Sequence, residues 1–294
     1  DQGPNLPTWI PKNYSNKSHG TMTFRKALET SNNLVTLKIG LDLGLPSVNS
    51  FFNKMNLYQN NKSNDVYSLL LGAIENNLLN ITKSYSLFVN GGYEIRPNII
   101  KKVVSDTGQL IANQDYYECK FCKFNIEDRS YRKPIIKPNN LSSITPQTSF
   151  QILNILRGAV ERGTGKSLNE IDYPIAGKTG TTNDSKDLWF FGLTPKFVVG
   201  VYVGYDKPKK IGYKETGSSV ALPVFKSFMK EYLLSNNDTD NDAFFIPKNL
   251  ILKKIDIDTG LFSDQDSSIF EFFTKDQLET INNLNKVDNI GGIN

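Results

Sequence analysis

Histidine is almost missing from this chain: one residue, His19, in 294. A Ser-His-Asp triad or a His-Glu-x-x-His zinc site would have to use it or could not form. Its Ser/Asn/Gly-rich surroundings read as an ordinary surface loop, so base chemistry falls to lysine or a carboxylate. Cysteine is nearly as scarce, with Cys119 and Cys122 in "YYECKFCKF". A Cys-x-x-Cys can be half a zinc site, a redox pair or a small disulfide loop. No other cysteine exists to complete a metal site, and the polar setting lacks the strand-to-helix junction of a redox motif. No apolar run approaches the ~18 residues of a membrane span. A formal net charge of only +4, with no dense Lys/Arg stripe, excludes nucleic acid as an expected partner. The opening "DQGPNLPTWIPKNYSNKSHG" is polar and turn-rich, unlike a signal peptide, and reads like the middle of a longer protein.

What is present fits a globular protein with a real core: 38% hydrophobic and 22% charged residues, enough chain for one large domain or two small ones. Helix and strand alternate. Thr23–Leu45 reads as a helix interrupted near Ser31–Asn33. Ser149–Gly163 places Phe150, Leu153, Leu156 and Val160 at helical spacing, with Gly163 as a stop. "DLWFFGL" and "FVVGVYVGYD", joined by Thr194-Pro195-Lys196, read as an antiparallel hairpin. Leu222–Leu234 reads as an amphipathic helix with Val224, Phe225, Phe228 and Tyr232 on its apolar face. Ser235–Asp242 reads as a linker, and a smaller tail with strand-like "LILKKIDID" follows.

The stretch "PIAGKTGTTNDSKDLWFFGL" (Pro174–Leu193) carries the chemistry. A phosphate loop requires Gly, four residues, then Gly-Lys-Ser/Thr. The first position is Asp172 for Gly177-Lys178-Thr179 and Val160 for Gly165-Lys166-Ser167, so both fail. A substrate-binding strand of an acyl-transfer enzyme remains. It gains from Ser31-Asn32-Asn33 upstream, a Ser-x-Asn that by itself would be a turn or helix cap. Ser-x-Asn and Lys-Thr-Gly belong, with Ser-x-x-Lys, to one catalytic motif set.

With "TFRKALETSNNLVT", "LLGAIENNLLNITKSYSLFVNGGYEIRPNII", "AVERGTG" and "PIAGKTGTTNDSKDLWFFGLTPKFVVGVYVGYD", the chain resembles the transpeptidase domain of class A penicillin-binding proteins of the 1A type. The resemblance implies an α/β fold like that of the serine β-lactamases: a central antiparallel sheet flanked by helices, plus a mostly helical lobe bearing Ser31 and Asn33. It assigns residues 1–235 to the transpeptidase domain and 236–294 to a linker and C-terminal extension. It implies a peptidoglycan D,D-transpeptidase whose partners are stem peptides and β-lactams, with no cofactor and no metal. Ser31, Asn33 and Lys178 are its expected catalytic residues. Ser31 would relay a proton near the leaving group, and Asn33 would hold the substrate amide and a general-base lysine. Thr179, Gly180, Thr181 and Thr182 are its expected substrate-binding residues, with the Thr181 amide as one of two oxyanion donors. Strand alternation predicts Lys178, Gly180 and Thr182 facing one way, and Thr179 and Thr181 the other.

The family's nucleophile and base lie in a Ser-x-x-Lys upstream of Ser-x-Asn. None occurs in the 30 residues before Ser31. "SFMK" (Ser227–Lys230) follows Lys-Thr-Gly, the wrong order, and reads as a solvated helix face. The expectation is therefore the C-terminal part of a longer protein or of a split gene. Its membrane anchor and glycosyltransferase domain would lie upstream, at the periplasmic face of the bacterial inner membrane. In such an exported protein Cys119 and Cys122 would close a local disulfide. The alternatives are a non-catalytic fragment that keeps the stem-peptide groove, or a D,D-carboxypeptidase; a β-lactamase is weaker still.

Overall fold

The helix expected over Thr23–Leu45 breaks where the Ser/Asn run falls. In the computed structural model α1 (Phe24–Glu29) is capped by the Thr23 hydroxyl, and α2 (Asn33–Leu43) by the Asn32 side chain, which accepts from the Val35 amide at 3.1 Å. Between them Ser31 takes φ 55°, the left-handed region that residues other than glycine enter rarely. The structure describes residues 10–14, 20–55, 57–58, 67–113, 117–120, 135–138, 142–236 and 242–281. His19 and Cys122 lie outside them.

α3 (Leu45–Lys54) and α4 (Leu78–Val89) complete a helical lobe with α1 and α2. Two antiparallel pairs follow, β1 (Lys102–Val104) with β2 (Leu110–Asn113), and β3 (Tyr117–Lys120) with β4 (Ile135–Pro138). Cys119 sits in β3, opposite Ile136. α5 (Pro146–Glu161) begins at the Thr145 cap. Its Phe150, Leu153, Leu156 and Val160 are buried at the expected spacing, and Gly163 stands just past its end.

The central sheet has the order β5 (Ala176–Thr181), β6 (Asp187–Leu193), β7 (Val198–Gly204), antiparallel throughout. α4 and α5 cover one face, where Ala176 and Leu193 meet Phe150, Leu153 and Leu156. α6 (Leu222–Ser235) covers the other, where Phe190 meets Phe225 with ring centroids 5.1 Å apart. This is the sandwich of sheet and helices that the sequence led us to expect. Burying each such ring contributes about 1.5–3 kcal/mol.

The buried stripe of α6 differs from the expected one. It runs Leu222, Phe225, Met229, whereas Val224 and Phe228 are exposed at 52% and 44%. Gly192 makes room for this rotation: a Cβ there would fall 2.2 Å from the Phe225 ring, so the ring packs against bare backbone. Ser227 and Lys230 are solvent-facing, and Lys230 joins Lys226 in pairing with Glu170 at 2.7 and 2.8 Å. Those two ammonium groups hold the Glu170 carboxyl down to about 2.

The tail returns to the body. Asp242, at the end of the expected linker, accepts from the Tyr173 hydroxyl at 2.6 Å and pairs with Lys196 at 2.9 Å. β8 (Ile251–Ile255) and β9 (Ile269–Phe273) form a hairpin against α1 and α5. Thr23 donates to the Ile257 carbonyl at 2.6 Å, Gln151 donates to the Phe272 carbonyl at 2.7 Å, and Phe150 meets Phe272 edge to face. Among the described residues no helix is long and apolar enough to cross a membrane.

Candidate active site

Lys178 stands in the middle of β5, half-buried, and its Nζ donates to Ser31 Oγ at 2.7 Å and to the Thr179 carbonyl at 2.8 Å. The β5–β6 register sets Lys178 opposite Phe191 and Gly180 opposite Trp189, so these four share a face. Tyr85 of α4 stacks on Phe191 at 4.5 Å, and Trp189 continues the row to Tyr202. An apolar cavity of about 440 Å³ opens beside the strand, lined by Leu28, Met55, Ile81, Tyr85, Leu156 and Phe191. Burial pushes the Lys178 ammonium down to about 8. Roughly a tenth of it is then neutral at pH 7, so it can give or take a proton near physiological pH.

The next residue faces the other way, as strand alternation requires. Thr179 is buried, and its hydroxyl meets the Thr164 hydroxyl at 3.0 Å. Thr181 is exposed, and its Oγ1 accepts from the Gly217 amide at 3.0 Å. Gly217 can reach that position because it has no side chain: a Cβ there would fall 2.3 Å from the Trp189 carbonyl oxygen. Thr182 closes the β5–β6 turn, its hydroxyl accepting from the Asp187 amide at 2.8 Å and donating to the Asp187 carboxylate at 3.1 Å. β5 is the edge of its sheet, and among the described residues no strand pairs its outer side.

The structure thus joins Ser31 to Lys178, with Thr179, Gly180 and Thr181 along the same edge. It does not join Asn33 to them by a hydrogen bond among the described residues. The Asn33 Nδ2 donates instead to the Lys12 carbonyl at 2.9 Å, and its amide donates to Asn13 Oδ1 at 3.0 Å. Asn33 opens α2, so its backbone is fixed two residues from Ser31 while its side chain serves the Lys12–Asn13 segment.

Sequence reasoning missed the residues that hold this geometry. Glu29 ends α1 and is 2% exposed; its carboxylate takes Arg162 Nη2 at 2.7 Å and Arg25 Nη1 at 3.1 Å. Its carbonyl accepts from the Thr164 amide at 3.3 Å, and Thr164 then meets Thr179. The signal was Gly158 and the "AVERGTG" (Ala159–Gly165) that follows it: a Cβ on Gly158 would fall 1.9 Å from Glu29 Oε1, and one on Gly163 would fall 2.1 Å from the Glu29 carbonyl oxygen. Gly158 and Gly163 let Glu29 lie against α5.

Residues 2–230 match the family model described as the penicillin binding protein transpeptidase domain. The chain is 37% identical over 98% of its length to penicillin-binding protein 1A of Rickettsia typhi, of which it spans 36%. In structure it resembles penicillin-binding protein 1A from Haemophilus influenzae, with a TM-score of 0.78 and 25% identity, covering 94% of this chain and 43% of that one. The PonA1 protein from Mycobacterium tuberculosis, solved in complex with penicillin V, shares the fold with a TM-score of 0.60 at 19% identity, covering 86% of this chain and 65% of that one.

Proposed function

The chain belongs to the penicillin-binding protein transpeptidase family, and on that footing we propose that it is the cross-linking part of a peptidoglycan D,D-transpeptidase. The substrate is a stem peptide ending in D-Ala-D-Ala. A serine oxygen attacks the penultimate D-Ala carbonyl and loses its proton. The peptide bond breaks, the last D-Ala leaves as a protonated amine, and an acyl-enzyme remains. The amine of a neighbouring stem then attacks the ester, forming the cross-link and returning the proton to the serine. β-Lactams acylate the same serine.

The observation that carries this reading is the Lys178–Ser31 hydrogen bond at the open edge of β5. A stem peptide adds to that edge as an extra strand. Ser31 relays the proton to the departing D-Ala nitrogen, and Lys178, poised near pH 8, sets the relay's charge. The Thr181 hydroxyl, at the surface, receives the terminal carboxylate, and Thr179, buried against Thr164, steadies the strand behind it. The Thr181 amide supplies one oxyanion donor, a group whose loss typically costs about 3 kcal/mol of transition-state stabilisation. Asn33 exchanges the Lys12 carbonyl for the substrate amide. Thr182 maintains the turn.

The acylated serine, in this proposal, lies on a Ser-x-x-Lys helix N-terminal to Asp1 that seats its apolar face in the cavity beside Lys178. The enzyme works at the periplasmic face of the inner membrane, with its anchor and glycosyltransferase domain on the upstream part. That the chain spans 36% of the Rickettsia typhi protein supports a longer whole. The test is to label the intact gene product with a fluorescent penicillin and map the adduct. A serine of a Ser-x-x-Lys outside residues 1–294 is expected; an adduct on Ser31 or Ser227 refutes the assignment.

A further inference from the structure

We propose that Glu271, on the C-terminal hairpin beyond the family-matched residues, is a positioning residue for the Ser31–Lys178 pair. The proposal rests on the function argued above, and it extends the site to a segment that lies outside the matched region 2–230.

Glu271 is 8% exposed, and both of its oxygens are engaged by Arg25: Nε to Oε2, and Nη2 to Oε1 at 2.6 Å. This is the planar fork that a guanidinium makes with a carboxylate, and it fixes orientation as well as distance. Arg25, itself buried, passes its remaining nitrogen to Glu29, and Glu29 also takes Arg162. Carboxylate and guanidinium therefore alternate from β9 through α1 to the end of α5: Glu271, Arg25, Glu29, Arg162. The charges balance, which is what lets them stay buried.

α1 has only six residues, too few to hold its own shape. Its orientation comes from outside. Thr23 and Lys26 hold it to the Ile257–Asp258 turn of the hairpin, and Arg25 holds it to Glu271. Ser31 follows two residues after its last helical residue. The left-handed turn is tied down by Ser31 N–H to the Leu28 carbonyl at 3.2 Å and Asn32 N–H to the Ala27 carbonyl at 2.8 Å. A strained conformation of this kind persists where its surroundings over-determine it. Wherever the last turn of α1 points, the Ser31 hydroxyl follows. Without the Glu271 carboxylate, Arg25 keeps only Asn154 and a share of Glu29, which Arg162 also holds; the last turn of α1 is released, and the contact to Lys178 loosens.

Lys178 reports on this directly, because its near neighbours are the Ser31 hydroxyl, the Thr179 carbonyl and the aromatic wall, and no carboxylate bonds to it among the described residues. The experiment is competitive acetylation of the folded 294-residue chain with acetic anhydride across pH 6–11, read site by site by mass spectrometry. Lys230, at the surface, is the internal reference. In the wild type Lys178 should titrate well below Lys230. In Glu271→Gln, folded by circular dichroism, its midpoint should rise by about one unit or more as water reaches it, while Lys230 stays put. Glu271→Asp, which keeps the charge, should recover part of the shift, an effect that plain destabilisation does not produce. Should Glu271→Gln fail to fold, Arg25→Lys, which keeps charge but loses the fork, carries the same criterion. A lowered wild-type midpoint that neither variant moves overturns the proposal. A wild-type Lys178 that titrates like Lys230 overturns instead the site reading on which it rests.

Discussion

Lys178 and Ser31 lie 147 residues apart in sequence and 2.7 Å apart in space. Nothing local brings them together. One comes from the middle of an edge strand, the other from a left-handed turn between two helices, and their meeting is the product of the whole fold.

Removing the Lys178 side chain should therefore disable the chemistry without dismantling the sheet. In the intact gene product, Lys178→Ala should slow acylation by a labelled penicillin by about 100-fold or more, because a charge acting in the transition state is lost. Stopped-flow or gel-based labelling kinetics measure it; a loss under threefold would remove Lys178 from the mechanism.

Ser227→Ala, by contrast, should leave labelling unchanged. Its hydroxyl faces solvent, and the nearby Lys230 is occupied by Glu170. Loss of labelling in this variant would mean that the helix-borne Ser-x-x-Lys is the true nucleophile site.

The lowered Lys178 pKa makes a statement about stability. Unfolded, the lysine keeps its proton up to about pH 10.5; folded, it releases it near 8. Between those values the unfolded chain binds more protons, so folding gains stability as pH rises through this window. Lys178→Met removes that dependence. Denaturant titrations at pH 7, 8.5 and 10 should show the stability difference moving in favour of the wild type as pH climbs. A difference that stays flat would show that Lys178 is not desolvated.

Gly158→Ala should cost about 2–4 kcal/mol, because the new methyl would occupy the position of the Glu29 carboxylate, and displacing that group disturbs a buried ionic network. Thermal melts of this variant and of Gly108→Ala would separate crowding from the general cost of replacing glycine. Gly108 has open space around it but a positive φ, so only strain is expected there.

The 294-residue polypeptide by itself should form no stable covalent adduct with penicillin, since nucleophile and base act as a unit. Intact-protein mass spectrometry, with and without a separately expressed upstream segment, decides this. A stoichiometric adduct on the chain alone would show that one of its own serines suffices.

The local features of the fold were legible because each rests on short-range physics. Ser and Asn compete for backbone hydrogen bonds, so the helix break at Ser31–Asn32 could be read directly. The period of α5 and the alternation of β6 and β7 were equally plain. The Lys-Thr-Gly segment is a strand, as its alternation suggested. What escaped was everything that depends on distant partners. Arg25 and Glu29 on a short helix look like a solvated face, and only Glu271 and Arg162, arriving from elsewhere, turn them into a buried network. The side-chain partner of Asn33 was hidden for the same reason: it is the Lys12 carbonyl, a backbone group that no motif marks. Room for the rotated α6 stripe comes from Gly192, which lies on a different element.

The Arg25–Glu271 pair spans 246 residues, and this has a consequence for how the chain is born. At typical synthesis speeds of roughly 5–20 residues per second, Arg25 waits about 10–50 s for its partner to emerge. During that interval Arg25 is held by Glu29 of its own helix alone among carboxylates, so the turn carrying Ser31 lacks its tie to β9. Settling of the site is thereby tied to the emergence of β8 and β9. A chain that stalls or is clipped before β8 and β9 should leave Ser31 adrift beside a finished sheet.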